Sequence, residues 1–419
     1  MKKILTIALA LMVQVGAMAQ VSALKEATAL AGKDADKAAE MIKAAINGAD
    51  VTAKDQAVAC NALALGYLAI YDKESAAQLE SQTLKQMGKE GKAFDEKKGN
   101  EALAKAFEYV IECDKYDAMP DAKGKVKPKF RKTNCETFFM KRPNLLNAGL
   151  YFYNENDKEL AKKIWVTYLE CMNSDLFTTK KSVKDDYASQ CAYFISLAAY
   201  NTEDAETLNK YVELAKTDSV QGSAARQLEV AMIDRQYKAS QDKSLLDVMY
   251  AKSQDAFEAT HEDMYFNQMM YALQQKNDEA LMMKTLDEFI AKNPESTLPY
   301  IHKGDMAMNA GKIVEAITNY EKVAAKETKN AALFYNIAVC YRNLASELAE
   351  KASNSNLVGK DKENFNKYLT KAAENFEKVR ALDPNQETVK YSYLLYSIYS
   401  GLGNTEKAAE IKAAYNIQD

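Results

Sequence analysis

Residues 298–324 read LPYIHKGDMAMNAGKIVEAITNYEKVA, and their hydrophobic pattern decides the class of the chain. Ala316, Ile317, Tyr320, Val323 and Ala324 stand at i, i+1, i+4, i+7 and i+8, which is one face of a helix of period 3.6. Tyr300 and Gly304 belong to a second short helix, and the two helices meet between Asn309 and Lys312. An apolar face on a short helix must be covered, so the pattern predicts a helix, turn, helix unit packed against neighbours of its own kind. Thirty-four residues after Gly304 comes Ala338, with Phe334, Ile337 and Tyr341 in the matching slots, so the unit recurs in phase.

Phe334, Ile337, Ala338 and Tyr341, followed by Ala372, Phe376 and Pro384 in the phrase AAENFEKVRALDPN at 372–385, resemble the tetratricopeptide repeat. Its signature runs aromatic, Leu, small, Tyr in the first helix and Ala, aromatic, Pro in and after the second. Leu145, Ala148, Gly149 and Phe152 with Ala161 and Trp165 form another unit, in which the only tryptophan reads as a packing residue. A closing unit runs from Leu395, Tyr399 and Leu402 through Gly403-Asn404 to Ala408, with a polar last helix suited to a solvent-facing cap. The stretches 187–215, 224–259 and 265–294 keep the hairpin rhythm without the signature. The resemblance implies an all-α, right-handed superhelical solenoid of helix-turn-helix repeats. Degenerate hairpins would fill 20–260, with a basic linker at 117–142. The clear array would fill 261–419, with repeats at 297–330 and 331–386 and an end cap at 387–419. Composition agrees, because 15 Gly and 6 Pro are few for 419 residues.

Two units depart from the family spacing. Ala338 and Ala372 are 34 residues apart and Gly66 and Ala106 are 40 apart, where the family has 12. The polar insertions, 72–99 and 346–367, read either as plain excursions or as partner-specific decorations. Residues 351–364, with SNSN and GKDKEN, predict a solvated loop, whereas 76–87 predict an extended helix.

The first residues read as a secretory leader. Lys2 and Lys3 supply the basic end, Ile4 to Val13 the apolar run and Ala17-Met18-Ala19 the cleavage site, so 1–19 are expected to be removed and the mature chain to begin at Gln20. The apolar run is too short for a transmembrane anchor. The first cysteine is Cys60, so no lipidated cysteine is expected at the cleavage point, and the destination is the periplasm or the exterior. The formal charge of −4 argues against nucleic acid as the main partner. Cys60, Cys113, Cys135, Cys171, Cys191 and Cys340 form no CxxC pair and read as buried small thiols, with a disulfide the alternative.

Chemistry is sparse. His261 and His302 are the only histidines, and HEDMY at 261–265 lacks the second histidine of a zinc helix. His302 reads as a surface residue. No phosphate loop, dinucleotide fingerprint or nucleophile elbow occurs, so no catalytic residue, metal site or cofactor is nominated. Lys123, Lys125, Lys127, Lys129, Arg131 and Lys132 put six cations in ten positions, which reads as a solvated loop or as a contact for an anionic ligand.

By the resemblance, first helices line the concave wall. The groove would then include Ile301, Asp305, Met308 and Asn309, then Tyr335, Val339, Arg342 and Asn343, and from the upstream unit Leu150, Tyr153 and Asn154. This mixture suits an extended peptide, which needs shallow apolar pockets and backbone hydrogen bonds. The family's terminal-carboxylate clamp is not expected, because its slots hold Ile301, Asp305, Tyr335 and Val339. The chain is thus expected to be an exported scaffold for a protein or peptide. Self-association into a structural component is a second reading and a hydrolase of envelope polymers a third.

Overall fold

The computed structural model describes residues 20–121, 123–352 and 357–418, so the stretch 1–19 that reads as a leader lies outside the described residues. The chain is all-α and divides into two compact units, 1–240 and 241–419. The first unit holds α1 (20–30), α2 (Ala35–Ala45), α3 (Ala53–Gln86), α4 (Glu96–Asp117), α5 (Arg131–Lys141), α6 (Asn144–Asn154) and α7 (Lys158–Glu170). Two short 3₁₀ turns, α8 (Ala188–Asn201), α9 (Ala205–Ala215) and α10 (Gly222–Ser240) complete it. The second holds α11 (Ser244–Thr260), α12 (Asp263–Lys276), α13 (Glu279–Lys292), α14 (Leu298–Asn309), α15 (Ile313–Ala324), α16 (Ala331–Lys351), α17 (Gly359–Leu382), α18 (Ser392–Gly401) and α19 (Thr405–Ala414).

Antiparallel pairs are the building blocks: α3 with α4, α6 with α7 and α8 with α9 in the first unit, and α11 with α12, α14 with α15, α16 with α17 and α18 with α19 in the second. Five connections share one local solution. A residue in the left-handed region (Asn156, Glu203, Asn277, Gly311, Gly403) ends the helix before it. The next residue (Asp157, Asp204, Asp278, Lys312, Asn404) donates its N–H back to a carbonyl five residues earlier at 2.8–3.0 Å. In four of the five, that residue's side chain also caps the following helix, as Asp204 does for the Thr207 N–H at 3.0 Å.

Close approach within the hairpins is set by glycine facing an aromatic ring. A Cβ built on Gly149 would stand inside the van der Waals contact of the Trp165 indole, 2.6 Å from its Cδ1. One on Gly304 would stand 2.6 Å from Cδ1 of Tyr320. Both rings are fully buried, and the Trp165 Nε1–H donates to the Leu146 carbonyl at 3.1 Å.

Three expectations are corrected. Residues 359–364 begin α17 instead of continuing a loop, because the apolar row Phe365, Tyr368, Leu369, Ala372 and Phe376 already runs at helical spacing; 353–356 lie outside the described residues. Arg131 and Lys132 open α5, so the irregular part of the basic stretch ends at Phe130. The segment 224–259 does not act as one hairpin: α10 packs on α8 and α9, whereas α11 packs along α12. The insertion at 76–87 does extend α3, as its pattern predicts. All six thiols are free and buried.

Candidate functional site

The residues predicted to line a groove are distributed unevenly. On α14 and α16, Ile301, Met308, Tyr335 and Val339 are half-buried against the core of their unit. Asp305 accepts the Tyr320 hydroxyl at 2.6 Å, and Arg342 and Asn343 are half-buried. Tyr153 on α6 lies against Trp165 with ring centroids 5.9 Å apart, and its hydroxyl accepts from Asn201 Nδ2 at 2.8 Å. Leu150, Asn154 and Asn309 are exposed. Asn309 also lines a cleft of about 370 Å³ with Met282, Met283, Lys303 and Met306.

His302 is not a plain surface residue. It is half-buried, Nε2 lies 2.8 Å from Oδ1 of Asn267, and its ring is 5.7 Å from that of Phe266. Burial holds its pKa below the usual imidazole value, against the opposing pull of Asp305.

Beside this histidine is a feature that lies outside the repeat signature. Tyr250 and Phe257 on α11, Phe266 and Met269 on α12, and Thr285 and Phe289 on α13 line an open pocket of about 560 Å³. Phe257, Phe266 and Phe289 lie within 4.5–5.8 Å of one another, centroid to centroid. Phe266 and Met269 are buried beneath, whereas Phe257 and Phe289 are only half-buried. The rim carries Glu258, Asp263 and Glu288 against a single Lys292, with Gln254, His261 and Asn293 as further hydrogen-bonding groups. Such an apolar floor with a polar rim takes up an apolar side chain and selects its flanks by charge.

In the first unit, the face shared by α3, α4 and α6 forms a second, polar cleft of about 360 Å³. Gln78 and Gln82 come from α3, Asn100 from α4 and Asn144 and Asn147 from α6. Gly99 lets α4 come close to Glu74, since a Cβ there would stand 3.1 Å from the Glu74 Cβ, and the Glu74 carboxylate accepts the Asp95 N–H at 2.8 Å.

No family model matches the chain, and no match to a curated protein reaches significance. Solved structures do match. A monomeric mutant of IFIT1 solved with m7Gppp-AAAA is 15% identical, with 87% of this chain and 69% of that one covered and a TM-score of 0.33. A TPR repeats protein from Bacteroides fragilis is 16% identical over 63% of this chain and 98% of its own, with a TM-score of 0.27. Naa15/Naa10 bound to HypK-THB gives 13% identity, 94% and 63% coverage, and a TM-score of 0.29.

The basic stretch is more ordered than its composition suggests. Asp117 accepts the N–H groups of Lys129 and Phe130 at 2.9 and 2.7 Å, and Asp121 accepts those of Lys123 and Lys125 at 2.8 and 2.9 Å. Gly124 takes a φ of +73° to close that turn. Arg131 forks onto the buried Asp114 at 2.7 and 2.9 Å. Arg131 therefore anchors the segment, while the lysine amines stay at the surface. Among the described residues, no group of His, Cys, Asp and Glu is placed to hold a metal, and no helix is long and apolar enough to cross a membrane.

Proposed function

We propose that this chain is a non-catalytic helical-repeat scaffold, exported to the cell envelope, that holds a peptide segment of a partner protein. The observation that carries the reading is the open aromatic pocket of α11, α12 and α13, whose half-buried Phe257 and Phe289 rings face solvent-accessible space. Its three carboxylates against one lysine favour a segment with an apolar anchor flanked by Lys or Arg. The leader-like sequence of 1–19 supports export.

Selection of displayed peptides against the full chain tests this. Selected peptides should share an apolar anchor with basic flanks. Gln254→Trp, which fills the mouth from an exposed position, should weaken them by about tenfold, corresponding to about 1.4 kcal/mol. Lys284→Trp on the exposed face of α13 should change affinity by less than about twofold. Peptides that bind wild type and Gln254→Trp equally would overturn the assignment.

A further inference from the structure

The lysines between α4 and α5 are not engaged by the recognition proposed above, and their arrangement has its own logic. Lys125, Lys127 and Lys129 alternate along the irregular segment that leads into α5. They line one cleft of about 460 Å³, joined there by Lys54 from the start of α3. Pro128, Arg131, Lys132 and Lys180 line a second of about 760 Å³.

The acidic groups that share the first cleft, Asp117 and Asp121, are turned onto backbone N–H groups of the segment itself. Their charge still counts against an anion, but they form no ion pair with the amines of Lys54, Lys125, Lys127 and Lys129. Those four amines are exposed, that of Lys129 lying 5.0 Å over the Phe130 ring. In the second cleft Arg131 is committed to Asp114 and Lys180 to Glu136, which leaves Lys132 against the carboxylates of Glu136 and Asp175 in the same lining. The larger cationic capacity therefore lies in the first.

We infer that the cleft of Lys54, Lys125, Lys127 and Lys129 binds an acidic polysaccharide. A cleft lined by four exposed ammonium groups matches a linear ligand with repeated negative charges better than a single ion. The cleft is concave, whereas a membrane surface is flat. Tyr116, Phe130 and Met119 add apolar surface to the same cleft, which suits the C–H faces of sugar rings.

The test measures binding of fluorescent heparin and polygalacturonate to the full chain, with oligo-dT, anionic lipid vesicles and inorganic phosphate as the other probes. Binding to at least one polysaccharide should be stronger than to any other probe, and should weaken as salt rises from about 50 mM to about 500 mM. Converting Lys54, Lys125, Lys127 and Lys129 together to Gln should weaken it by about tenfold or more. The same charge change at Lys33, Lys43, Lys85 and Lys89, exposed elsewhere in the unit, should alter it by less than about twofold. Far-UV circular dichroism checks that both variants stay folded. Equal weakening in the two variants, no polysaccharide binding, or tighter binding to oligo-dT or vesicles would each overturn the inference. Peptide binding in the other unit is measured on the same proteins, so the two readings fail separately.

Discussion

Gly149→Ala tests whether glycine opposite an aromatic ring sets the spacing of a hairpin. On helix propensity alone the change should stabilise α6 by about 1 kcal/mol. The new Cβ, however, would meet the Trp165 indole, 2.6 Å from Cδ1 and closer still to Nε1 and Cε2. The ring has no free direction to move. Phe194 stacks on it at 5.2 Å, Tyr153 packs at 5.9 Å, and its N–H is committed to Leu146 at 3.1 Å. Overpacking of this kind costs about 1–3 kcal/mol, and displacing the indole from its carbonyl adds about 1 kcal/mol. The two penalties together exceed the propensity gain, leaving a net loss of about 1–3 kcal/mol. Urea unfolding followed by fluorescence of the sole tryptophan reads the change at its source. Gly32→Ala is the control, since a Cβ there meets nothing within 4 Å, and it should be neutral or slightly stabilising. If Gly149→Ala matches or exceeds wild type, the account of hairpin spacing is wrong.

The Lys162 ammonium holds the Asp204 carboxyl down to about 2, and the pair is 2.8 Å apart with Lys162 nearly buried. Because the folded value is lowered, its stabilisation is present above the usual 3.8 and fades as pH falls from there toward about 2. Asp204→Asn, which keeps the helix cap, should cost about 1–2 kcal/mol at neutral pH and flatten that acid limb in urea titrations. A pH dependence identical to wild type would remove the assignment. The lowered pKa of His302 acts at milder acidity: the unfolded chain takes its proton first, so stability should decline as pH falls below about 6.5, and His302→Gln should lack this decline. Burial pushes the thiols of Cys171 and Cys340 up to about 11 and that of Cys113 to about 12. The native chain should therefore resist iodoacetamide at pH 8 while the urea-unfolded chain takes up six equivalents by mass, and fast native labelling would contradict the burial. Mass spectrometry of exported protein should find a mature terminus at Gln20, and a retained leader would count against export.

The fold was legible where two signals coincide. Gly149 with Trp165 and Gly304 with Tyr320 stand at the same separation, and each pair is a small residue facing a ring across a hairpin. Hairpins without that pair were visible only as rhythm, yet they share the turn chemistry. Asn156-Asp157 and Asn277-Asp278 combine a residue tolerant of positive φ with a helix-capping carboxylate, a signal the helical pattern alone does not contain. Glu203-Asp204 hides the same turn behind a residue that gives no warning of it. The aromatic pocket was harder still, because its floor draws on three helices and no one of them shows an unusual face.

The insertions show why length could be read more easily than consequence. Added residues that continue the 3.6-residue period lengthen a helix without disturbing the register of what is already packed. In the α3–α4 and α16–α17 pairs both arms are long, so the added turns of one arm find the other beside them. Polar residues on such turns need no core, and sequence alone ranks them as solvent-facing. Their surroundings are complete only when a third helix is set against the pair. Gln78 and Gln82 sit one turn apart on the extension of α3, Asn100 follows Gly99 on α4, and α6 brings Asn144 and Asn147 to the same cleft. Carboxamides both donate and accept, so these five side chains offer hydrogen bonds of both kinds from each position, beside the acceptor-only carboxylates of Glu74 and Glu96 in the same lining.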